Sequence, residues 1–180
     1  RLYDAETLYY PAKDLIFYQA DIHGNLLIRQ RLQVIQALLE RKEVTIITSV
    51  GGCMDFLLPL GVFEKHCIHL RNDSEFDLDK IRKELVRLGY ESTFQVESTG
   101  QFSVRGGILD IYPLTEQNPI RIELWGDEID SIRSFDVESQ RSIERVEQIT
   151  IFPAMEIILN DAQLRQGFAK IKKDRDKLQA

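Results

Sequence analysis

One short segment, Ile120–Trp125, combines residue types that proteins use for recognition. Apolar and polar residues alternate along it, so Arg121, Glu123 and Trp125 share one face of a predicted strand. The aliphatic residues form the other face, which we expect to be the core side. The only tryptophan of the chain would then be exposed beside an arginine and a glutamate. Tryptophan and arginine are enriched at the centres of protein interfaces, so the pattern favours a protein-binding surface. The alternative is a solvated sheet face with a weak Arg–Glu pair.

The preceding strand places a second arginine on a polar face. In residues 101–105, two apolar side chains alternate with Ser103 and Arg105. Gly106-Gly107 follows directly and would leave open space beside the Arg105 guanidinium. We therefore expect Arg105 to contribute to the same kind of surface.

Other segments that could carry out catalysis have simpler interpretations. Gly51-Gly52 follows an apolar run, as a phosphate-binding loop would, but the chain contains no Gly-x-x-x-x-Gly-Lys-[Ser/Thr] sequence. A plain turn is favoured there. No serine or cysteine has a recognisable base beside it in the sequence. We predict that this chain is not itself an enzyme and binds no cofactor.

Two groups of possible metal ligands are also better explained without a metal. His66 would lie on the opposite face of a strand from Cys67 and His69, whereas a zinc site needs three or four convergent donors. The acidic residues of 127–130 occupy a predicted turn, where Asp and Glu are common. The sequence therefore predicts no metal site.

The composition is typical of a globular domain and excludes several classes of protein. Its 180 residues are 43% hydrophobic and 29% charged, and 23 Lys and Arg against 29 Asp and Glu give a net charge of −6. Non-specific DNA binding requires clustered cations, and no basic block is present. Two cysteines favour a reducing cytosol over a disulfide framework. No apolar run reaches the ~18 to 20 residues that a bilayer requires, so we expect a cytoplasmic location.

The first 59 residues have α/β character. Residues 14–18 and 44–50 are apolar and rich in residue types that favour strands, so they predict two strands. An apolar stripe predicts a helix over residues 26–41. The second of these strands is apolar on both faces, as in a parallel sheet covered by helices. Two strands and one helix are too small a sheet to be stable alone, so we expect the chain to be a piece of a larger protein whose missing strands lie upstream.

The remaining residues predict an antiparallel domain beyond a division near Pro59. Asp77 is a plausible N-cap for a helix that ends at Gly89. The hydrophobic period then changes to two, and turn residues separate five predicted strands. A last strand at 148–152 and a helix from about residue 160 complete an α/β (α+β) fold, in which a partial parallel unit precedes an antiparallel sheet with a packed helix. The five strands are 93–97, 101–105, 108–112, 120–125 and 129–135.

Long stretches of the sequence resemble one bacterial family. Residues 100–113 (GQFSVRGGILDIYP), 121–133 (RIELWGDEIDSIR) and 135–142 (FDVESQRS) resemble the transcription-repair coupling factor (Mfd) family and, more loosely, the excision-repair helicase UvrB. Residues 10–14 (YPAKD) and 19–25 (QADIHGN) resemble the coupling factors rather than UvrB. The resemblance spans nearly the whole chain.

The resemblance implies a UvrB-like N-terminal module made of three parts. Residues 1–59 would be a segment of its helicase-like domain 1. Residues 60–153 would be a UvrA-binding domain similar to UvrB domain 2. Residues 154–180 would be a C-terminal helix that returns to domain 1 or serves as a linker.

The resemblance also implies a partner and the residues that contact it. In the family, positions matching Arg105, Arg121 and Trp125 are implicated in docking UvrA, while Glu123 and Arg133 match less firmly assigned positions. Trp125 stands where many relatives have phenylalanine, and a larger aromatic should still fill a pocket. From its surface position, we expect Arg121→Ala to weaken UvrA binding by ~2 kcal/mol while changing stability by no more than ~0.5 kcal/mol.

Two functions follow as expectations. The first is recruitment of UvrA, and with it nucleotide excision repair, to RNA polymerase stalled at a DNA lesion. The full-length protein would then be an ATP-dependent DNA translocase that uses ATP and Mg and binds RNA polymerase and double-stranded DNA through other domains. The alternative is a fragment of a UvrB-type ATP-dependent helicase that contacts damaged DNA directly. The acidic charge and the absent phosphate loop disfavour this alternative for the present chain.

Overall fold

The computed structural model describes residues 6–13, 20–159 and 161–179. These residues form an α+β fold, as the sequence predicts, with five helices and ten strands. The helices are α1 (Ala20–Leu39), α2 (Val50–Met54), α3 (Leu60–Glu64), α4 (Leu78–Arg87) and α5 (Asp161–Gln179). The strands are β1 (Glu6–Tyr10), β2 (Val44–Thr48), β3 (Ile68–Arg71), β4 (Glu91–Ser92), β5 (Gln101–Arg105), β6 (Ile108–Ile111), β7 (Ile120–Trp125), β8 (Glu128–Phe135), β9 (Ser142–Val146) and β10 (Gln148–Ile151).

The N-terminal part is a small parallel β–α–β unit. β1 and β2 pair in parallel, and α1 connects them and buries Leu32 and Ile35. The strand at β2 is confirmed, but the prediction that both its faces are buried is wrong for the described residues, because Ile46 and Ile47 are exposed. The strand predicted at 14–18 lies outside the described residues. The partner strand, β1, is a segment that the sequence pattern did not identify.

A buried arginine ties this unit to the chain beyond β10. Arg31 on α1 is 1% exposed, and its Nε donates to Glu156 Oε1 at 2.6 Å. Its Nη1 donates to the Pro11 carbonyl at 2.6 Å and to Asp55 Oδ2 at 2.9 Å. Its Nη2 donates to the Tyr10 hydroxyl at 2.6 Å. We call these five residues the Arg31 cluster, and they fix α1 against segments far apart in sequence.

A six-stranded sheet forms the main body of the chain, in the order β4-β5-β6-β7-β8-β9. β5 to β9 are antiparallel neighbours, which confirms the meander, whereas β4 pairs with β5 in parallel. The strand predicted at 93–97 is wrong: the strand is Glu91–Ser92, after which the Thr93 hydroxyl donates to the Gln95 carbonyl at 3.0 Å and turns the chain. β9 was not predicted.

Helix α4 and a separate two-stranded sheet cover the core face of the main sheet. Asp77 caps α4 by accepting from the Lys80 N–H at 2.9 Å, and Gly89 follows it with a φ of +90°, as predicted. β3 pairs with β10 in an antiparallel sheet, so the last predicted strand does not join the meander. One hydrophobic cluster includes Leu85, Leu109 and Ile122 together with Leu32 and Ile35 of α1. No described strand before Pro59 pairs with a described strand after it, and the division into three domains stays a prediction.

The connecting helices complete the description. Gly51-Gly52, predicted as a turn, lies in α2, whose N-cap Ser49 accepts from the Gly52 N–H at 3.2 Å. A Cβ on Gly52 would lie 2.4 Å from Thr48 Oγ1, so only glycine fits there. α5 begins where a helix was predicted, but its apolar stripe, including Phe168 and Ile171, is exposed. Among the described residues, none of the helices has the length and apolar character needed to cross a membrane.

Candidate protein-binding site

The structure brings the five predicted site residues together on one face of the main sheet. Cross-strand pairing aligns Arg121 with Arg133, and Glu123 and Trp125 follow at alternate positions along β7. Arg105 reaches the same face from β5. We call this surface the arginine face. It consists of Arg105, Asp110, Arg121, Glu123, Trp125 and Arg133.

A buried carboxylate, which the sequence analysis missed, lies at the centre of the arginine face. Asp110 is on β6, directly opposite Arg121 on β7, and its side chain is 0% exposed. Arg121 binds it with two donors, Nε to Oδ1 at 2.7 Å and Nη2 to Oδ2 at 2.9 Å. Arg105 Nη2 donates to Oδ2 at 2.8 Å. Asp110 therefore holds both arginines in fixed positions, because bidentate charge-assisted bonds are strong and directional.

Arg121 and Arg105 differ in their exposure and in the number of contacts that they make within the chain. Arg121 is 16% exposed, lies over the Phe135 ring at 4.6 Å and is also near Gln140. The hydrogen bond with Asp110 raises the pKa of its guanidinium above the ordinary value. Arg105 is 39% exposed, and among the described residues Asp110 is its one hydrogen-bond partner. Arg105 therefore has more donors free for another molecule.

This geometry revises the expected stability of Arg121→Ala. The substitution would leave the fully buried Asp110 carboxylate with Arg105 as its one described partner. An incompletely paired buried charge costs ~1 to 3 kcal/mol or more, so a change within ~0.5 kcal/mol is no longer expected. Strand alternation places Arg121 on the solvent-facing side of the sheet, but its side chain pairs with the buried Asp110 carboxylate.

Glu123 and Arg133 form a second, more exposed pair beside the first. Arg133 Nη2 lies 3.3 Å from Glu123 Oε2, and the Ser131 hydroxyl donates to the same oxygen at 2.8 Å. Arg121 and Arg133, directly opposite each other, thus each contact a different carboxylate. This separation limits their mutual repulsion and keeps both guanidinium groups extended over the sheet.

Trp125 projects from the end of β7 and is 83% exposed. It is held by a tight turn in which Gly126 has a φ of +63°, a conformation that favours glycine. The Phe76 N–H donates to the Asp127 carbonyl at 2.8 Å and braces this turn from outside the sheet. The exposed indole of Trp125 therefore extends from a turn that is held by a hydrogen bond.

The arginine face carries positive charge on an acidic chain. Arg145 lies opposite Arg133 on β9, and Glu128 lies opposite Trp125 on β8, so with these two neighbours four arginines (105, 121, 133 and 145) accompany three carboxylates (110, 123 and 128) and give a local excess of +1. The chain as a whole has a net charge of −6. Such a local reversal of sign favours a partner with an acidic surface.

His66 and Cys67 precede β3, and His69 lies on it. His69 Nδ1 lies 3.0 Å from Thr150 Oγ1, which joins β3 to β10. Burial raises the pKa of the Cys67 thiol to about 11, so it is protonated at neutral pH. In the part of the chain that the structure describes, no group of three or more His, Cys, Asp or Glu side chains could hold a metal ion.

A protein-family comparison defines the class of this domain. Residues 68–156 match the model of the UvrB interaction domain, and this range runs from β3 past β10 and includes the whole arginine face. This segment is therefore similar to the UvrB interaction domain.

The wider resemblance to transcription-repair coupling factors is also confirmed. The chain is 38% identical over 170 residues, 94% of its length, to the transcription-repair-coupling factor of Bacillus subtilis (strain 168). Identity and coverage are the same for the factor of Staphylococcus aureus (strain Mu50), and the factor of Staphylococcus haemolyticus is 35% identical over 168 residues. The chain spans 14% of the length of each of these relatives.

Proposed function

We propose that this chain docks UvrA through the arginine face. The observation that carries the proposal is the Arg105–Asp110–Arg121 arrangement, in which a buried carboxylate holds two arginines at the surface of a rigid sheet. Trp125 lies on the same face and is almost fully exposed. Rigid aromatic and arginine side chains lose little entropy on binding and dominate the energetics of many interfaces.

The charge of the surface supports a protein partner rather than DNA. The excess of +1 around the arginine face is too small to neutralise many phosphates, and the rest of the chain is acidic. Acidic side chains of UvrA would share the free donors of Arg105 and Arg133, while Trp125 fills an apolar pocket. In this arrangement Trp125 would lie in the apolar centre of the interface, and Arg105 and Arg133 would form part of its charged rim, as in standard protein interfaces.

We further propose that the docked UvrA is thereby recruited to stalled RNA polymerase. The support is the similarity of 94% of the chain to transcription-repair-coupling factors. In a longer protein of that kind, ATP and Mg would act in a motor domain, and RNA polymerase and double-stranded DNA would be bound by domains other than this one. The present chain would contribute the UvrA contact and would not hydrolyse ATP.

Calorimetric titration of purified UvrA with this chain tests the proposal. We expect saturable binding by the wild type and a loss of ~2 kcal/mol in affinity, or about thirtyfold in Kd, for Trp125→Ala. Phe56→Ala is a matched control, because Phe56 is an exposed aromatic between α2 and α3. It should bind UvrA as the wild type does. Absence of saturable wild-type binding would contradict the proposed function.

A further inference from the structure

Phe94 is as exposed as Trp125, although it lies beside the main sheet. Its side chain is 84% exposed, the highest value for any described phenylalanine. Single exposed apolar residues are common on protein surfaces, so exposure alone indicates nothing. The surroundings of Phe94 distinguish it from such residues.

Hydrogen bonds on both sides hold the Phe94 backbone in place. The Thr93 N–H donates to the Phe102 carbonyl at 2.8 Å, and the Ser103 hydroxyl donates to the Phe94 carbonyl at 2.7 Å. Two residues later Val96 is fully buried. The exposed phenyl ring therefore projects from an ordered segment, and binding it would cost little backbone entropy.

The bond from Ser103 also places Phe94 at the border of the arginine face. Ser103 is directly opposite Asp110, the residue that holds Arg105 and Arg121. Trp125 lies two strands further across the sheet and four residues beyond Arg121, roughly 16 Å from the Ser103 position for ideal strand spacings. The Phe94 backbone and Trp125 thus lie on either side of the arginine–carboxylate cluster, at a separation that one standard interface spans.

We propose that Phe94 is a second aromatic contact for the partner that the arginine face binds, which rests on the proposed function. The partner surface would carry acidic groups for the arginines and two apolar pockets, one for Trp125 and one for Phe94. Charge complementarity selects the partner, and the two aromatics set its orientation, because two separated anchors permit one alignment on the sheet.

Titration of UvrA with Phe94 variants tests this contact. We expect Phe94→Ala to weaken binding about tenfold, as removal of a buried aromatic anchor does. Phe94→Tyr should retain wild-type affinity, because the ring and its faces are kept. Phe168→Ala is the matched control, since Phe168 is exposed on α5, outside the sheet. It should bind UvrA with unchanged affinity, and all three variants should melt at the wild-type temperature.

The outcomes separate this inference from the proposed function. Wild-type binding together with equal affinities for Phe94→Ala and Phe168→Ala would overturn the Phe94 contact and leave UvrA docking intact. A failure of the wild type to bind UvrA would overturn both. Selective weakening by Phe94→Ala with recovery in Phe94→Tyr would support the contact.

Discussion

In the Arg31 cluster the arginine is buried together with its carboxylate partner Glu156, whereas on the arginine face the Asp110 carboxylate is buried and its arginine partners are not. Arg31 is 1% exposed and directs its donors to Glu156, Asp55 and neighbouring oxygens. Asp110 is 0% exposed and is bound by arginines that reach solvent. A guanidinium has five N–H donors, while a carboxylate offers only acceptors. Burying the cation therefore uses its donors within the fold, and burying the anion leaves arginine donors at the surface.

This contrast assigns different roles to two clusters with similar chemistry. The Arg31 cluster joins α1, the segment after β1 and the chain beyond β10, so it stabilises the arrangement of the two parts of the molecule. The arginine face joins strands that are already paired, so its ion pairs orient side chains more than they hold the sheet together. Mutations should separate the two roles, because stability and binding can be measured independently.

The largest expected effect is on stability, in the Arg31 cluster. Arg31→Met should lower the free energy of unfolding by ~3 to 5 kcal/mol, because it leaves buried Glu156 with Lys13 as its one described cation and also removes the hydrogen bonds of Arg31 to the rest of the cluster. Urea denaturation of the chain measures this loss. Arg29→Met, on the same helix and partly exposed, is the control and should change stability by less than ~0.5 kcal/mol. A loss below ~1 kcal/mol for Arg31→Met would show that the cluster does not stabilise the fold.

A smaller and mixed effect is expected for Arg121, which serves both roles. Arg121→Ala should lower stability by ~1 to 3 kcal/mol by depriving Asp110 of its bidentate partner, and should also weaken UvrA binding by ~2 kcal/mol. Denaturation combined with titration gives both values.

A double-mutant cycle with Asp110→Ala sharpens this prediction. Removing both partners leaves no buried charge unpaired, so the double variant should be less destabilised than the sum of the single variants. Additive stability losses would mean that the Arg121–Asp110 pair contributes no coupling to the fold.

The smallest expected effect is a pH dependence in the Arg31 cluster. The Lys13 backbone N–H, and then Arg31, hold the pKa of Asp55 below its ordinary value of 3.8. A lowered folded-state pKa means that the ionised carboxylate stabilises the fold above its unfolded pKa. That contribution is lost as the pH falls through the folded-state pKa. Thermal melts between pH 6 and about pH 3 should show a shallower decline for Asp55→Asn than for the wild type. Parallel pH profiles would exclude a role for Asp55.

Local sequence patterns predicted the parts of this fold that depend on neighbouring residues. Alternation along β7 placed Ile122 in the core and Trp125 at the surface, and both positions are observed. The N-cap Asp77 and Gly89 predicted both ends of α4. In each case, side chains a few residues apart determine the conformation, so a short window of sequence is sufficient.

Features that depend on distant residues could not be predicted in the same way. Arg31 and Glu156 are 125 positions apart, and nothing near either residue indicates the other. The pairing of β3 with β10 likewise joins segments from opposite ends of the domain. Asp110 is a different case, since it alternates with Leu109 and Ile111 and so shares the polar face of β6. Combining that alternation with the β6–β7 register would have identified it.

The most direct test of the contrast is the affinity of UvrA for Arg105→Ala. Arg105 has more of its donors free than Arg121 has, and Asp110 keeps its bidentate bond with Arg121 when Arg105 is removed. Arg87→Ala is the matched control, because Arg87 is exposed on α4, which packs on the opposite face of the sheet. The account predicts that Arg105→Ala weakens UvrA binding by ~2 kcal/mol at an unchanged melting temperature, while Arg87→Ala binds as the wild type. Equal affinities for the two variants, or a collapse of the Arg105→Ala melting temperature, would contradict it.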